Sequence, residues 1–369
     1  MSYQPGRMGM AEGMALVFII LLPRIFLTSP ANDAADVATA SWWVGIVAGL
    51  PAILTIIAWV YILQQTPGDL YSVSEQLIGR VGAWVVTSVC IVIFFLNAAL
   101  LLRQFAENTL LTALPKMEFN FIVGWYAFIA ALGARLGLEV LARGTYLLLP
   151  ISVFSLLIVL LLLAPNYDIY NLAPWQGYGL LPSLKQGMYG AGTNFGALVL
   201  VIVAPAMQNV RTFKWASIFG IMGCVLLKAF SMMVFIIVFG VAVASEKTLP
   251  FFEMSRLVYL SRYLQRIESL FIILWVIVGL LGIAISLYMG AYLITRLLKL
   301  PALKPLIPLL AYIIAQLAMI PPDIATVIRL DEFVVANFFT TTLFSLTPLL
   351  LVAAMVKTSK KGGQSCSAD

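Results

Sequence analysis

The sequence predicts an all-α, polytopic membrane protein of about ten transmembrane helices, and three observations carry the prediction. Of 369 residues, 62% are apolar and only 10% are charged. Soluble domains run at about 45–50% and about 25%, so this chain has too little polar surface to coat a water-facing globule. A mean hydropathy of +1.02 points the same way. The apolar residues also fall into stretches near the roughly 20 residues a helix needs to cross about 30 Å of hydrocarbon. Polar joints separate them. Helices are expected in every stretch, because lipid leaves each segment to satisfy its own backbone groups.

In chain order the predicted spans are 11–28, 40–63, 83–111, 121–137, 145–164, 188–207, 214–244, 267–297, 304–321 and 333–356. The joints include Ser29-Pro30-Ala31-Asn32-Asp33, Thr66-Pro67-Gly68-Asp69, Pro165-Asn166-Tyr167-Asp168 and Pro321-Pro322-Asp323, all turn-forming combinations. No cleavable leader is expected, since Ala11 to Leu27 is long enough to stay in the membrane. Residues 165–187 are aromatic and turn-rich, which suits a membrane interface. Residues 250–267 place Phe252, Tyr259, Leu260, Tyr263 and Ile267 near one helical face, with Ser261, Arg262 and Gln265 opposite. This segment reads either as an interfacial helix or as one packed on protein.

Charge and rare residues exclude whole classes of chemistry. The chain has no histidine, which removes Ser-His and Cys-His nucleophiles, HExxH zinc sites and histidine proton relays. Cys90, Cys224 and Cys366 are isolated, so no metal site or disulfide framework is expected. The formal charge is +6. Counted joint by joint, twelve Lys and Arg fall on the side of the N-terminus and seven on the other, four of these within 245–266. The positive-inside rule then places both termini in the cytoplasm and explains the charge without nucleic acid. The aspartates lie in joints, so an intramembrane aspartyl enzyme is not expected.

Charges inside spans are costly enough to be functional candidates. Lys228 stands between apolar runs in the seventh span, as a cavity cation or as a snorkelling or ion-paired stem. Arg24 follows Pro23 late in the first span, and Arg103 lies four residues before Glu107 on one helical face. Both arginines fit the edge of the hydrocarbon. Glu139 and Arg143, one turn apart, read as a local ion pair. The sixth span opens Gly187-Met188-Tyr189-Gly190-Ala191-Gly192-Thr193-Asn194-Phe195-Gly196. Glycine costs a helix about 1 kcal/mol relative to alanine, so this run reads as an interrupted helix exposing backbone groups to a ligand, or as close small-residue packing. Its counterpart in an inverted repeat is the first span, with Gly9, Gly13 and Pro23.

Several pieces, in order, resemble the B subunits of bacterial spore germinant receptors, permease-like members of the amino acid–polyamine–organocation superfamily. They are Leu22-Pro23-Arg24, Gly137-Leu138-Glu139 with Arg143, Asp168-Ile169-Tyr170-Asn171-Leu172-Ala173-Pro174, Gln265-Arg266-Ile267-Glu268-Ser269-Leu270 leading to Trp275, and Pro322-Asp323. The resemblance implies a LeuT-like five-plus-five inverted repeat. Its halves would be 1–164 and 188–356, followed by a basic cytoplasmic tail over 357–369. It also implies a nutrient-sensing protein of the spore inner membrane, assembled with an A subunit and a lipoprotein C subunit. A small molecule such as an amino acid would contact Gly190, Gly192, Thr193, Asn194 and Gly196, flanked by Asn97 and by Gly282 or Ser286. No cofactor is implied. The chain departs from the family pattern at Leu16–Ile20 and at Val199, where the family carries glycine and glutamate respectively. The competing reading is a secondary amino-acid transporter coupled to H⁺ or Na⁺.

Overall fold

The computed structural model describes residues 8–27, 29–258 and 268–365. Among them the secondary structure is helical and no strand forms. Helix α1 (Met10–Leu21) ends before Pro23, whose ring fixes φ and offers no N–H. The chain tightens there into a 3₁₀ turn, Pro23–Phe26, and resumes as the short α2 (Ser29–Val37). The first predicted span is therefore interrupted. Helix α3 (Ser41–Gln65) carries Pro51 inside it. Helix α4 (Leu70–Thr112) begins at a capping box, in which Ser72 N–H donates to Asp69 Oδ1 at 2.9 Å and Asp69 N–H to Ser72 Oγ at 3.0 Å. It bends at Gly79, whose φ of 79° only glycine adopts cheaply.

Helices α5 (Phe119–Leu136) and α6 (Leu138–Leu162) meet at Gly137. Short 3₁₀ turns, Ala164–Asn166 and Ile169–Leu172, lead to α7 (Leu180–Tyr189) with Tyr170, Trp175 and Tyr178 exposed. A 3₁₀ stretch, Gly190–Ala197, then separates α7 from the five-residue α8 (Leu198–Ile202). Helices α9 (Val210–Ala244) and α10 (Pro250–Leu257) follow. In α10, Phe251 and Met254 are buried, and the Phe251 ring lies edge-on to Phe26 with centroids 6.3 Å apart. The described half of 250–267 is thus packed on protein. The expected face at Tyr259, Leu260, Tyr263 and Ile267, with Ser261, Arg262, Gln265 and Arg266, lies outside the described residues, as does Cys366.

The chain closes with α11 (Glu268–Leu297), α12 (Leu306–Met319), α13 (Ile324–Phe333), a π-helical turn Val334–Phe339 and α14 (Thr340–Ser365). Seven helical stretches among the described residues are long and apolar enough to cross a membrane: Ser29–Gln65, Leu70–Thr112, Phe119–Leu136, Leu138–Leu162, Val210–Ala244, Phe271–Leu297 and Ile324–Lys357. The predicted spans 11–28 and 188–207 are missing from these seven because they are interrupted, and 304–321 because α12 has only 14 residues. On α6, Leu147, Phe154 and Leu161 recur every seven residues and are exposed, as a lipid-facing stripe requires. Helix α1 is the opposite case. Every residue from Ala15 to Leu22 is buried, against α9, α6 and α11. The α4–α11 seam is close because Gly279 and Gly290 leave room for the rings of Phe105 and Phe95.

Candidate functional site: the gap beside two interrupted helices

The two breaks fall side by side at the centre of the bundle. In the sixth span, Gly192 N–H donates to Thr340 Oγ1 at 2.9 Å. That hydroxyl in turn shares its proton between the carbonyls of Tyr189 and Val335, at 2.7 and 2.8 Å. The 3₁₀ stretch is therefore seated on the π-helical turn before α14, so that one irregular segment satisfies the backbone of another. A Cβ at Gly192 would collide with the Val335 carbonyl and with Thr340. Gly196 presses on Ile20 and Leu21, and Gly282 on Pro23.

At the first break, Arg24 is buried and donates from Nη1 to Asp331 Oδ2 at 2.6 Å and from Nη2 to Asn97 Oδ1 at 3.1 Å. Asn97 Nδ2 donates onward to Ser286 Oγ at 2.9 Å. One polar chain thus joins the first break to α13, α4 and α11. Arg24 is a buried paired cation, where the sequence suggested a charge at the membrane edge. Arg103, read from the sequence as a charge at the edge of the hydrocarbon, is buried and pairs with Glu107 at 3.0 Å, with its guanidinium 4.2 Å from the centre of the Phe119 ring. Glu139 and Arg143 pair at 2.5 Å.

Beside the breaks lies a cavity of about 100 Å³, bounded by the Pro23–Phe26 turn, α2, α3, α7, the Gly190–Ala197 stretch, α9 and α10. Its polar lining includes Arg24, Asp33, Gln186, Thr193, Asn194 and Lys228. Among the described residues Lys228 makes no ion pair or hydrogen bond, and it lines this cavity together with the carboxylate of Asp33. Asn194 is 2% exposed. Its amide nitrogen donates to the Ala48 carbonyl at 3.0 Å, while its Oδ1 has no partner. A buried acceptor and a cation, both unsatisfied, face one space; each asks for a ligand group.

Of the residues named from the sequence, Gly190, Thr193, Asn194, Arg24 and Lys228 line this cavity, whereas Gly192, Gly196, Asn97, Gly282, Ser286, Arg103 and Glu107 do not. Asp33 and Asp331 were missed. Both were read as joint residues, yet Asp33 lies in α2 and Asp331 in α13. The signals were present: Ser29-Pro30 is a helix start, and Asp323 caps α13 by accepting from Thr326 N–H at 2.7 Å. The last helical stretch therefore begins well before residue 333.

The spore germination protein family matches residues 8–327 of this chain. The chain belongs to that family. Among its relatives in Bacillus subtilis (strain 168), spore germination protein YndE is 23% identical over 95% of this chain and 97% of its own. Spore germination protein KB is 23% identical over 77% of each. Among solved structures, MhsT in complex with L-phenylalanine superposes with a TM-score of 0.65 at 14% identity, covering 96% of this chain and 99% of that one. The Eremococcus coleocola manganese transporter superposes with 0.63 at 13% identity, over 94% and 76%. A Na⁺-coupled sialic acid symporter gives 0.63 at 11%, over 92% and 80%. These likenesses assign the LeuT-type transporter fold to this spore germination family member. It is an integral membrane protein of the spore germination permease family.

Proposed function

We propose that this chain is the nutrient-sensing subunit of a spore germinant receptor and binds a small molecule such as an amino acid in the cavity beside the two helix breaks. The observation that carries this reading is that Lys228, without a hydrogen bond among the described residues, and the orphan Asn194 Oδ1 face one cavity. A ligand carboxylate satisfies the ammonium, and a ligand N–H satisfies the amide oxygen. Gly190 and Thr193 complete the wall. Gly192, Gly196, Gly282, Asn97 and Ser286 serve it indirectly, by holding the interrupted segments and the Arg24 chain in place.

Occupancy shifts a protein between two arrangements only by the ligand's differential affinity for them. Here the cavity wall includes Arg24, which also grips α13, so a ligand that draws on Arg24 biases the seat of the last helical stretch. In this reading residues 1–164 and 188–356 are the two five-helix repeats. The termini face the cytoplasm of the spore inner membrane, and the A and lipoprotein C subunits read out the shift. A secondary transporter coupled to H⁺ or Na⁺ is the second reading, favoured by the transporter fold.

The test is thermal unfolding of the purified chain in lipid nanodiscs across a panel of amino acids, sugars and nucleosides. One ligand class should raise the unfolding temperature, and Lys228→Met should abolish that rise while leaving the unliganded value within a few degrees. A flat response across the panel would contradict the site. Accumulation of the labelled ligand by proteoliposomes holding this chain alone would favour transport over sensing.

A further inference from the structure

A second cavity, of about 140 Å³, adjoins the first across Arg24, Asp33, Gly190 and Thr193 and runs toward α13. Its charges are unbalanced. Asp33, Asp36, Asp331 and Glu332 face it, with Arg24 the one cation among its lining residues. Arg24 is already committed to Asp331 Oδ2 at 2.6 Å. Among the described residues, Asp36 accepts from the neutral amide of Gln186 at 2.7 Å, and Glu332 from that of Asn32.

Two buried groups on the same wall have nothing to bond. Asp331 is 8% exposed, and its Oδ1 is an acceptor without a donor. Gln104, on α4, is 3% exposed, and its Nε2 is a donor without an acceptor. Unsatisfied buried polar groups are costly, and here an acceptor and a donor share one cavity with a surplus of negative charge. A metal ion is a poor fit, since among the described residues no group of three His, Cys, Asp or Glu side chains converges as ligands would.

We propose that this second cavity is a binding site for a small organic ammonium ion carrying a hydroxyl or ether-type oxygen, as in an amino alcohol. The ammonium donates to Asp331 Oδ1 and lies in the field of Asp33, Asp36 and Glu332. The oxygen accepts from Gln104 Nε2. A ligand with its own carboxylate is disfavoured here, because the wall already carries four. Both cavities share Arg24 and Asp33, to which the first adds Lys228 and the second adds the carboxyl groups of Asp36, Asp331 and Glu332. This inference does not rest on the nutrient-sensing reading: it needs no response from Lys228 or Asn194.

The probe is ethanolamine, whose chemistry also occurs as a lipid headgroup. Unfolding temperatures of the full chain are measured in nanodiscs free of aminolipid, with added ethanolamine, with ethylene glycol, or with NaCl at matched ionic strength, and separately in phosphatidylethanolamine nanodiscs. Saturable stabilisation by ethanolamine and not by the glycol or salt supports a soluble ligand. Stabilisation found only in the phosphatidylethanolamine discs assigns the site to the headgroup. In either case the double variant Asp36→Asn with Glu332→Gln, both exposed and both keeping their amide partners, should weaken the effect by about tenfold, and Gln104→Leu should weaken it further. The proposal is overturned if no arm stabilises the chain, if glycol or salt acts as well as ethanolamine, or if the double variant responds like the parent.

Discussion

The heaviest single-residue commitment in the bundle is Arg24. Its charge is removed from water and held by Asp331 and Asn97, a geometry in which loss of one partner strands the other. Asp331→Asn is therefore expected to destabilise the protein by about 3–5 kcal/mol, seen as a large fall in the unfolding temperature. The double replacement Arg24→Met with Asp331→Leu should recover much of that loss. A double-mutant cycle measures the coupling. Asp69, at the mouth of α4 and outside the spans, makes a prediction in pH. Burial alone would raise its carboxyl, but hydrogen bonds from Arg296 and Ser72 outweigh burial and hold it below its ordinary 3.8. A depressed carboxyl stabilises the fold above its unfolded value, and that contribution disappears as pH falls through the lower folded value. Unfolding temperature should thus drop on acidification below about pH 4, and Asp69→Asn should flatten that drop. At this scale the sequence singled out Arg24 and Lys228 by their charge in apolar runs. It did not show that Arg24 meets a carboxylate 307 residues away, because no local pattern encodes such a pairing.

At the scale of elements, Pro23 and the glycine run marked where two interruptions could fall, and the structure explains how they are stabilised. Pro23 breaks the first span for a reason visible in one residue. The glycine run of the sixth left two readings open, and both hold in part: the stretch is 3₁₀ and is also closely packed. What decides its seat is the π-helical turn of Val334–Phe339, which no composition signal marks. Gly192→Val should unseat the stretch from Thr340 and cost about 1–3 kcal/mol or more, with ligand-induced stabilisation lost alongside. Thr340→Val tests the same seat from the other side: it removes the hydroxyl that receives Gly192 N–H, and is expected to lower the unfolding temperature without changing the charge of either cavity. In the segment 250–267, which the sequence left as an interfacial helix or one packed on protein, Phe251 and Met254 are buried, so it serves protein packing where it is described.

For the molecule as a whole, membrane class and helix order were legible because hydropathy reports burial in lipid directly. The resemblance placed the ligand against the glycine run of the sixth span, flanked by α4 and α11 through Asn97 and Gly282 or Ser286; of these, Gly190, Thr193 and Asn194 line the cavity and the flanking three do not. Those positions are occupied by packing and by the Arg24 chain, which displaces the open space toward α2, α3 and α9. Whether this displaced space admits a ligand is measured by cysteine accessibility. In a Cys366→Ser background, where the remaining Cys90 and Cys224 are buried, Thr193→Cys should react with a small charged methanethiosulfonate reagent, and the ligand that stabilises the parent chain should protect it. A cysteine at this position that never reacts, or reacts equally with and without that ligand, would contradict the account.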